Sequence, residues 1–271
     1  MLLTVDIGNT NIALGLFDGD SCVRFWRAAS DTRRTVDEYA VLLEALLAHS
    51  AVDVQCIEGV VIGSVVPVLS DTLNDALQRV FGRVPFHVTY TVPMPVKNRY
   101  AKPNEVGVDR LANAVAGVEL VGAPVIIVDV GTAITLDVVN KRKEYLGGAI
   151  LPGLEMSAEA LAKRTARLPR VAPHEPHHVI GRTTVESIRS GLLNGLVGSV
   201  DYLIEQMWEE LGYRTALIAT GGLAGLVTQR SRLVKESRED LTLLGLKRIF
   251  EFNHTKKILK ARRTARNTGR A

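Results

Sequence analysis

The sequence is poor in cysteine, in long apolar runs and in metal-ligand clusters, and each shortage removes a class of function. Only Cys22 and Cys56 occur in 271 residues. They have neither zinc-site spacing nor the pattern of a disulfide framework, so both read as small core residues in a reducing, cytoplasmic setting. No apolar stretch approaches the ~20 residues needed to cross a bilayer, so no membrane partner is expected. Met1-Leu2-Leu3-Thr4-Val5 has no basic start and runs at once into Asp6, which makes it a strand rather than a secretory leader. Three of the six histidines, His174, His177 and His178, crowd a proline-broken loop. They have no companion cysteines or regularly spaced carboxylates there, which argues against a metal site.

Acids are missing from one place. The last sixteen residues, 256–271, hold seven of the 33 bases and no acid, leaving 26 bases against 29 acids in the rest. The body is slightly acidic, and the net charge of +4 is the property of a tail without aromatic residues. Such a tail reads as a solvated, poorly ordered end, and nucleic acid is not an expected partner.

What is present is enough for two α/β domains. Leu2 to Ile7 predicts a buried strand, Ile12 to Phe17 its hairpin partner, and Ser21 to Ala28 a third strand after a turn at Phe17-Asp18-Gly19-Asp20. Helical periodicity follows over Thr35 to Ala48, with Asp37-Glu38 suited to a helix start. A strand at Ile57 to Ile62, a helix at Ser70 to Val80 and a strand at Pro85 to Thr91 continue the pattern. After a Pro-rich connection from Thr91 to Pro103, Gly107 to Leu120 predicts a helix. The opening pattern then recurs in strands at Pro124 to Val130, Ile134 to Val139 and Lys143 to Ala149. Helices are expected at Gly153 to Ala162, Thr184 to Leu211 and Leu241 to Asn253, with a strand at Thr215 to Thr220. The expected division is a first domain over 1–118, a second over 119–253 and the basic tail over 254–271.

Asp6-Ile7-Gly8-Asn9-Thr10 and Asp129-Val130-Gly131-Thr132-Ala133 are one device used twice. A strand delivers an Asp, a Gly-containing turn carries a Thr, and a second strand leaves. Gly lets backbone approach a triphosphate, and the turn N–H groups and the Thr hydroxyl supply neutral donors. A carboxylate beside phosphates repels them unless a cation stands between, directly or through water. A single copy reads equally as a hairpin turn with an Asx motif; two in matching contexts point to nucleotide. Gly221 and Gly222, after the strand ending at Thr220, offer backbone against which an adenine or ribose lies, or else a plain strand-to-helix turn. In Tyr100 to Arg110 an acid and a base meet at a helix start beside Gly107. Asp109 can take the proton of an alcohol and Arg110 can clamp a carboxylate. The alternative is a helix-start acid with a surface ion-pair partner.

Together, Asp6-Ile7-Gly8-Asn9-Thr10-Asn11, Pro103 to Arg110, Asp129 to Ala133, Gly147 to Gly153, Ile180 to Thr184 and Thr220-Gly221-Gly222 resemble the type III pantothenate kinases over about residues 1 to 253. The resemblance implies the fold of the acetate and sugar kinase, Hsp70 and actin superfamily: two ribonuclease-H-like domains with a nucleotide cleft between them. It implies transfer of phosphate from ATP to pantothenate in coenzyme A synthesis, with Mg²⁺ and a monovalent cation such as K⁺ or NH4⁺. By matching position Asp109 is the base. Asp6, Ile7, Gly8, Asn9, Thr10, Asn11, Ile12, Ala13 and Thr132 hold ATP, and Asp129 holds the monovalent cation. Asp6 serves Mg²⁺, through water if not directly. Tyr100, Gly107, Val108, Asp109, Arg110 and Thr184 hold pantothenate. A homodimer is implied, with the helix from Thr184 able to serve it. Lys102 stands where the family often has Asn, and the basic tail is outside the pattern. The competing readings are a kinase for another carboxylate-bearing alcohol and a non-catalytic nucleotide-binding transcriptional regulator of the same fold. The presence of Asp6, Asp109 and Asp129 argues against the second.

Overall fold

The computed structural model describes residues 1–172 and 174–268, with side chains except those of 256–268. The chain divides into two compact units, Met1–Ala116 with the C-terminal segment from Asp240, and Gly117–Glu239.

In the first unit β1 (Leu2–Ile7), β2 (Asn11–Asp18) and β3 (Ser21–Ala29) form the expected antiparallel meander. Helix α1 (Val36–His49) starts on a capping box: Glu38 N–H donates to Thr35 Oγ1 at 3.3 Å and Thr35 N–H to Glu38 Oε2 at 2.7 Å. Both orphan donors are thereby satisfied, which is why the helix begins there. Strand β4 (Gly59–Ser64) joins β1 in parallel. Helix α2 (Pro67–Phe81) opens with Pro at its first turn and ends on Gly82 at φ 62°, a conformation that costs glycine little. Strands β5 (Phe86–Val88) and β6 (Lys97–Asn98) follow, then α3 (Val108–Val121). The sheet order is β3-β2-β1-β4-β5. Alternate residues of β1 and β2 pack with Tyr39, Leu43 and Leu47 of α1 and Leu69, Leu73 and Leu77 of α2, the period-two burial of a half-covered sheet.

The second unit repeats the scheme. Strands β7 (Val125–Val130), β8 (Ala133–Val139) and β9 (Glu144–Pro152) form an antiparallel meander, and β10 (Ala216–Thr220) lies parallel to β7. Among the strands of this unit the order is β10-β7-β8-β9. Between them come α4 (Leu154–Arg164) and α5 (Thr184–Leu211), and after β10 comes α6 (Ala224–Arg230). One sheet face, with Ile126, Val128, Val130, Ile134, Leu136 and Val138, packs with α5.

The last helix, α7 (Leu241–Thr268), is longer than periodicity predicts. It packs on β1, β4 and β5 in the first unit, whereas the sequence assigns 240–253 to the second domain. Glycines make the fit possible: a Cβ on Gly245 would fall 2.0 Å from the Ala112 carbonyl oxygen, and one on Gly63 would fall 2.7 Å from Leu246. Neither cysteine is a core residue: Cys56 is exposed and Cys22 half-buried. No helix among the described residues is long and apolar enough to cross a membrane. The expected poor order of the basic tail, 254–271, falls mostly on residues 256–271, whose side chains lie outside those described.

Candidate active site

The two Asp-Gly-Thr turns are built by the same hydrogen bonds. Asp6 is the penultimate residue of β1, opposite Ala13 of β2 and Gly63 of β4; Asp129 is the penultimate residue of β7, opposite Thr135 of β8 and Thr220 of β10. In the first unit Val65 N–H donates to the Ile7 carbonyl at 3.1 Å, and in the second Leu223 N–H donates to the Val130 carbonyl at 3.2 Å. The Thr10 carbonyl accepts from Ser30 N–H at 2.9 Å, and the Thr132 carbonyl from Gly153 N–H at 3.1 Å. Each turn is thus tied to the segment leaving its third strand and to the segment leaving its parallel strand. These ties engage backbone carbonyls, and the tips, Asn9, Thr10 and Asn11 in one turn and Thr132 in the other, are exposed. Gly8 N–H closes the first hairpin on the Asn11 carbonyl at 3.0 Å.

Ser30 was not visible as a site residue. Its hydroxyl donates to the Gly8 carbonyl at 2.6 Å while its N–H holds Thr10, so one residue fixes both ends of the turn. The chain then passes Asp31, whose carboxylate takes a bidentate guanidinium from Arg33 at 3.0 Å. Hydrogen bonds from the Arg33 side chain and backbone hold the Asp31 pKa down at about 2. Polar residues in a loop carry no sequence signal for such a clamp, and a serine beyond a strand is common.

Asp109 stands in the first turn of α3, half-buried. Its Oδ1 accepts from Arg110 N–H at 2.8 Å, and a Cβ on Gly107 would fall 2.3 Å from that oxygen. Gly107 is therefore what lets the carboxylate fold back over the helix N-terminus. Val108 packs where a Gly63 Cβ would stand, at 3.1 Å, and Val65 Cγ1 lies 3.4 Å from a Gly107 Cβ. Gly63 is the β4 partner of Asp6, and Val65 is bonded to Ile7. The start of α3 and the Asp6 turn accordingly share one edge of the first sheet. Arg110 is buried, at 8% exposure, which disfavours the surface ion-pair alternative. Tyr100 is half-buried, with its N–H on Asn98 Oδ1 at 3.0 Å.

In the second unit Asp129 lies against glycine. Gly221 has φ +92°, and a Cβ there would fall 2.6 Å from both Asp129 Oδ1 and the Val130 carbonyl oxygen. A carboxylate and a carbonyl converging beside bare backbone are the hard oxygen donors that K⁺, NH4⁺ or Mg²⁺ take. Among the described residues no group of three or more His, Cys, Asp or Glu could hold a metal ion. A cation at Asp6 or Asp129 must draw its remaining ligands from carbonyls, water and phosphate, which is the manner of Mg²⁺ at nucleotides. Gly153, read from sequence as a helix start and as the end of the Gly147 to Gly153 motif, has the same role as Gly221: a Cβ there would fall 2.3 Å from the Thr132 carbonyl. Gly222 is exposed beside Gly221. Thr184, exposed, is the first residue of α5, behind the cap that Thr183 Oγ1 forms with Glu186 N–H at 3.2 Å. The structure thus groups Asp6 to Ala13 with Gly107 to Arg110 in one unit, and Asp129 and Thr132 with Gly221 in the other.

A family model for type III pantothenate kinase matches residues 2–206. A type III pantothenate kinase of Myxococcus xanthus is 44% identical over 254 residues, covering 94% of this chain and 99% of that one. One from Finegoldia magna is 43% identical over 256 residues, covering 93% and 98%. Among solved structures, a Baf family protein from Campylobacter jejuni, described as a candidate transcriptional activator, superposes with TM-score 0.59 at 18% identity over 93% of this chain and 99% of that one. The activator of 2-hydroxyisocaproyl-CoA dehydratase from Clostridium difficile, with bound ADPNP, gives 0.53 at 13% identity over 94% and 97%. At such identities the likeness is one of fold, two ribonuclease-H-like units of the actin-like kind, and it lends the regulator reading nothing.

Proposed function

Since the chain belongs to the type III pantothenate kinase family, an enzyme that phosphorylates pantothenate with ATP in coenzyme A biosynthesis, we propose that Asp109 is the base and that the two Asp-Gly-Thr turns receive the nucleotide. The observation that carries this reading is the Asp109 carboxylate, fixed over the first turn of α3 by Arg110 N–H at 2.8 Å and sharing a sheet edge with the Asp6 turn.

The primary hydroxyl of pantothenate approaches Asp109, which takes its proton as the alcohol oxygen bonds to the γ-phosphorus. The bond from that phosphorus to the β–γ bridging oxygen breaks, ADP leaves, and Asp109 passes its proton to solvent. Arg110 receives the pantothenate carboxylate, for which a planar guanidinium is suited. Tyr100, Gly107, Val108 and Thr184 complete the acceptor pocket. Backbone N–H groups and side chains from Asp6 to Ala13, with Thr132, Gly221 and Gly222, line the nucleotide. Asp6 would hold Mg²⁺, directly or through water, and Asp129 a monovalent cation; these ions supply positive charge that offsets the triphosphate. A cytoplasmic homodimer is the working assembly in this reading.

Phosphate transfer from ATP to pantothenate, measured with and without K⁺, tests it. Asp109→Asn should keep nucleotide binding and lose at least ~100-fold in kcat, the usual cost of removing a general base. Near-normal turnover by that variant would remove Asp109 from the role.

A further inference from the structure

On the face of the second sheet opposite its α5-packed side lies a buried polar chain that the reaction above does not use. Residues Ile127 and Asp129 of β7 face the same side as Thr135 and Asp137 of β8, because Asp129 pairs with Thr135 and Ile127 with Asp137. Asp137 is fully buried, at 0% exposure. Thr135 Oγ1 donates to its Oδ2 at 2.8 Å, and the hydroxyl of Tyr145, also at 0% exposure, donates to its Oδ1 at 2.7 Å. Both oxygens accepting hydroxyl hydrogens is the pattern of a carboxylate, which is acceptor-only.

Burying such a group is costly unless it is fully hydrogen-bonded, and this one stands diagonal to Asp129 across the β7–β8 ladder, about 7 Å away by strand geometry. We propose that Tyr145, Asp137 and Thr135 are positioning residues for the cation site at Asp129. Tyr145 fixes the Asp137 carboxylate, and Asp137 fixes the rotamer of Thr135, the direct cross-strand neighbour of Asp129. The Asp137 charge adds to the field that draws a monovalent cation to Asp129, an attraction screened less than one between exposed groups because Asp137 is fully buried and Asp129 half-buried. Gly148, the β9 partner of Asp137, belongs to the same arrangement. A Cβ there would fall 1.6 Å from the Leu136 carbonyl oxygen and 3.2 Å from Asp137 Cα, so β9 runs this close to the β8 backbone at Asp137 only because that residue is glycine.

The inference rests on Asp129 holding the cation, and its test separates the two claims. The full chain, with ADP and Mg²⁺, is melted across a KCl titration at constant ionic strength made up with tetramethylammonium chloride. A bound cation raises Tm in proportion to RT ln(1 + c/Kd), where c is the K⁺ concentration, and the Kd fitted to that rise is the K⁺ midpoint of site occupancy. Asp137→Asn and Tyr145→Phe should move the K⁺ midpoint up about 10-fold, the lower end of what loss of a ligand-orienting partner costs. Thr135→Val should move it the same way and Thr135→Ser should restore it. The K⁺ midpoint for turnover should follow, with the KM for pantothenate unchanged. A merely structural role would lower Tm at every salt composition and leave the midpoint alone. If the wild-type midpoint exists and both Asp137→Asn and Tyr145→Phe keep it within twofold, the positioning role is overturned. If the wild type itself shows no K⁺-specific rise, the assignment of a cation to Asp129 falls, and this proposal with it.

Discussion

The two units carry one turn design and finish it differently. Both hold the residue after the Asp by an N–H from beyond the parallel strand, Val65 to Ile7 and Leu223 to Val130, and both hold the Thr carbonyl by an N–H from beyond the third strand. The first unit places side chains at the two anchor points, Ser30 and Val65. The second places glycines near them, Gly153 and Gly221, and its turn is one residue shorter, Val130 pairing with Ile134 where Ile7 pairs with Ile12. Clearance explains the difference. Around Asp129 a Cβ at either glycine would fall within 2.6 Å of a carboxylate or carbonyl oxygen, so oxygens crowd where a cation can use them. The first unit instead adds a hydroxyl bond, Ser30 to Gly8 at 2.6 Å, and stiffens a longer loop.

The sharpest way to break this contrast is Gly221→Ala. The left-handed φ of +92° and the overlap with Asp129 and Val130 act together, so we expect a loss of about 2 kcal/mol, read as a Tm about 4 to 8 °C lower. Turnover should fall about 100-fold, because misplacing a charged group by about 1 Å costs that much. A variant with wild-type Tm and rate would mean that the second turn tolerates a side chain and that the glycine cradle is no cradle.

Exchanging the anchors should give a smaller and asymmetric result. Ser30→Gly removes one hydroxyl bond and keeps the N–H bond to Thr10, a loss of about 1 kcal/mol that should appear as a several-fold rise in the KM for ATP with kcat nearly intact. Gly153→Ser brings a Cβ to 2.3 Å from the Thr132 carbonyl and 2.5 Å from that of Gly131, so it should cost more in both Tm and kcat. Equal effects would show that the two anchors are interchangeable, and the clearance argument would fail.

Much of this was legible in the residues. The hydrophobic run Leu2 to Ile7 and the capped, periodic stretch Thr184 to Leu211 give β1 and α5 to the residue, because burial pattern and end signals agree there. The doubled Asp-Gly-Thr pattern announced the repeated meander and both turns. Helix α6 was missed because seven residues are too few for periodicity to register. Periodicity also makes α7 amphipathic without saying which sheet it covers; Gly245 against Ala112 and Gly63 against Leu246 decide that, and clearance is a property of two segments at once. The same limit hid Ser30 and the role of Gly153, which the sequence marks only as part of the Gly147 to Gly153 motif. Each acts through backbone brought near by folding, which neither type nor spacing shows. Asp109 was visible as a helix-start acid, and what the sequence lacked was the reason for Gly107, the Cβ that would strike Asp109 Oδ1 at 2.3 Å.

The smallest expected effect concerns the loop that only the first unit has, between Ser30 and α1, where the second unit enters α4 directly from Gly153. Arg33 holds the Asp31 carboxylate from its ordinary 3.8 down to about 2. A carboxyl depressed in the folded state contributes stability that is fully present above its unfolded pKa and is lost as pH falls through the folded one. Arg33→Gln should therefore leave the pH dependence of unfolding unchanged from about pH 5 to 8 and alter it only between about pH 4 and 2. Arg33 is exposed and Asp31 half-buried at the surface, where an ion pair contributes little, so the KM for ATP at neutral pH should stay within twofold. Carboxyl-detected NMR titration checks the cause directly: the Asp31 midpoint should rise toward 3.8 in the variant. A midpoint still near 2 would transfer the effect from Arg33 to the backbone of the loop itself. The turn at Asp6 would then be stiffened by chain conformation in the first unit as it is by glycine clearance in the second.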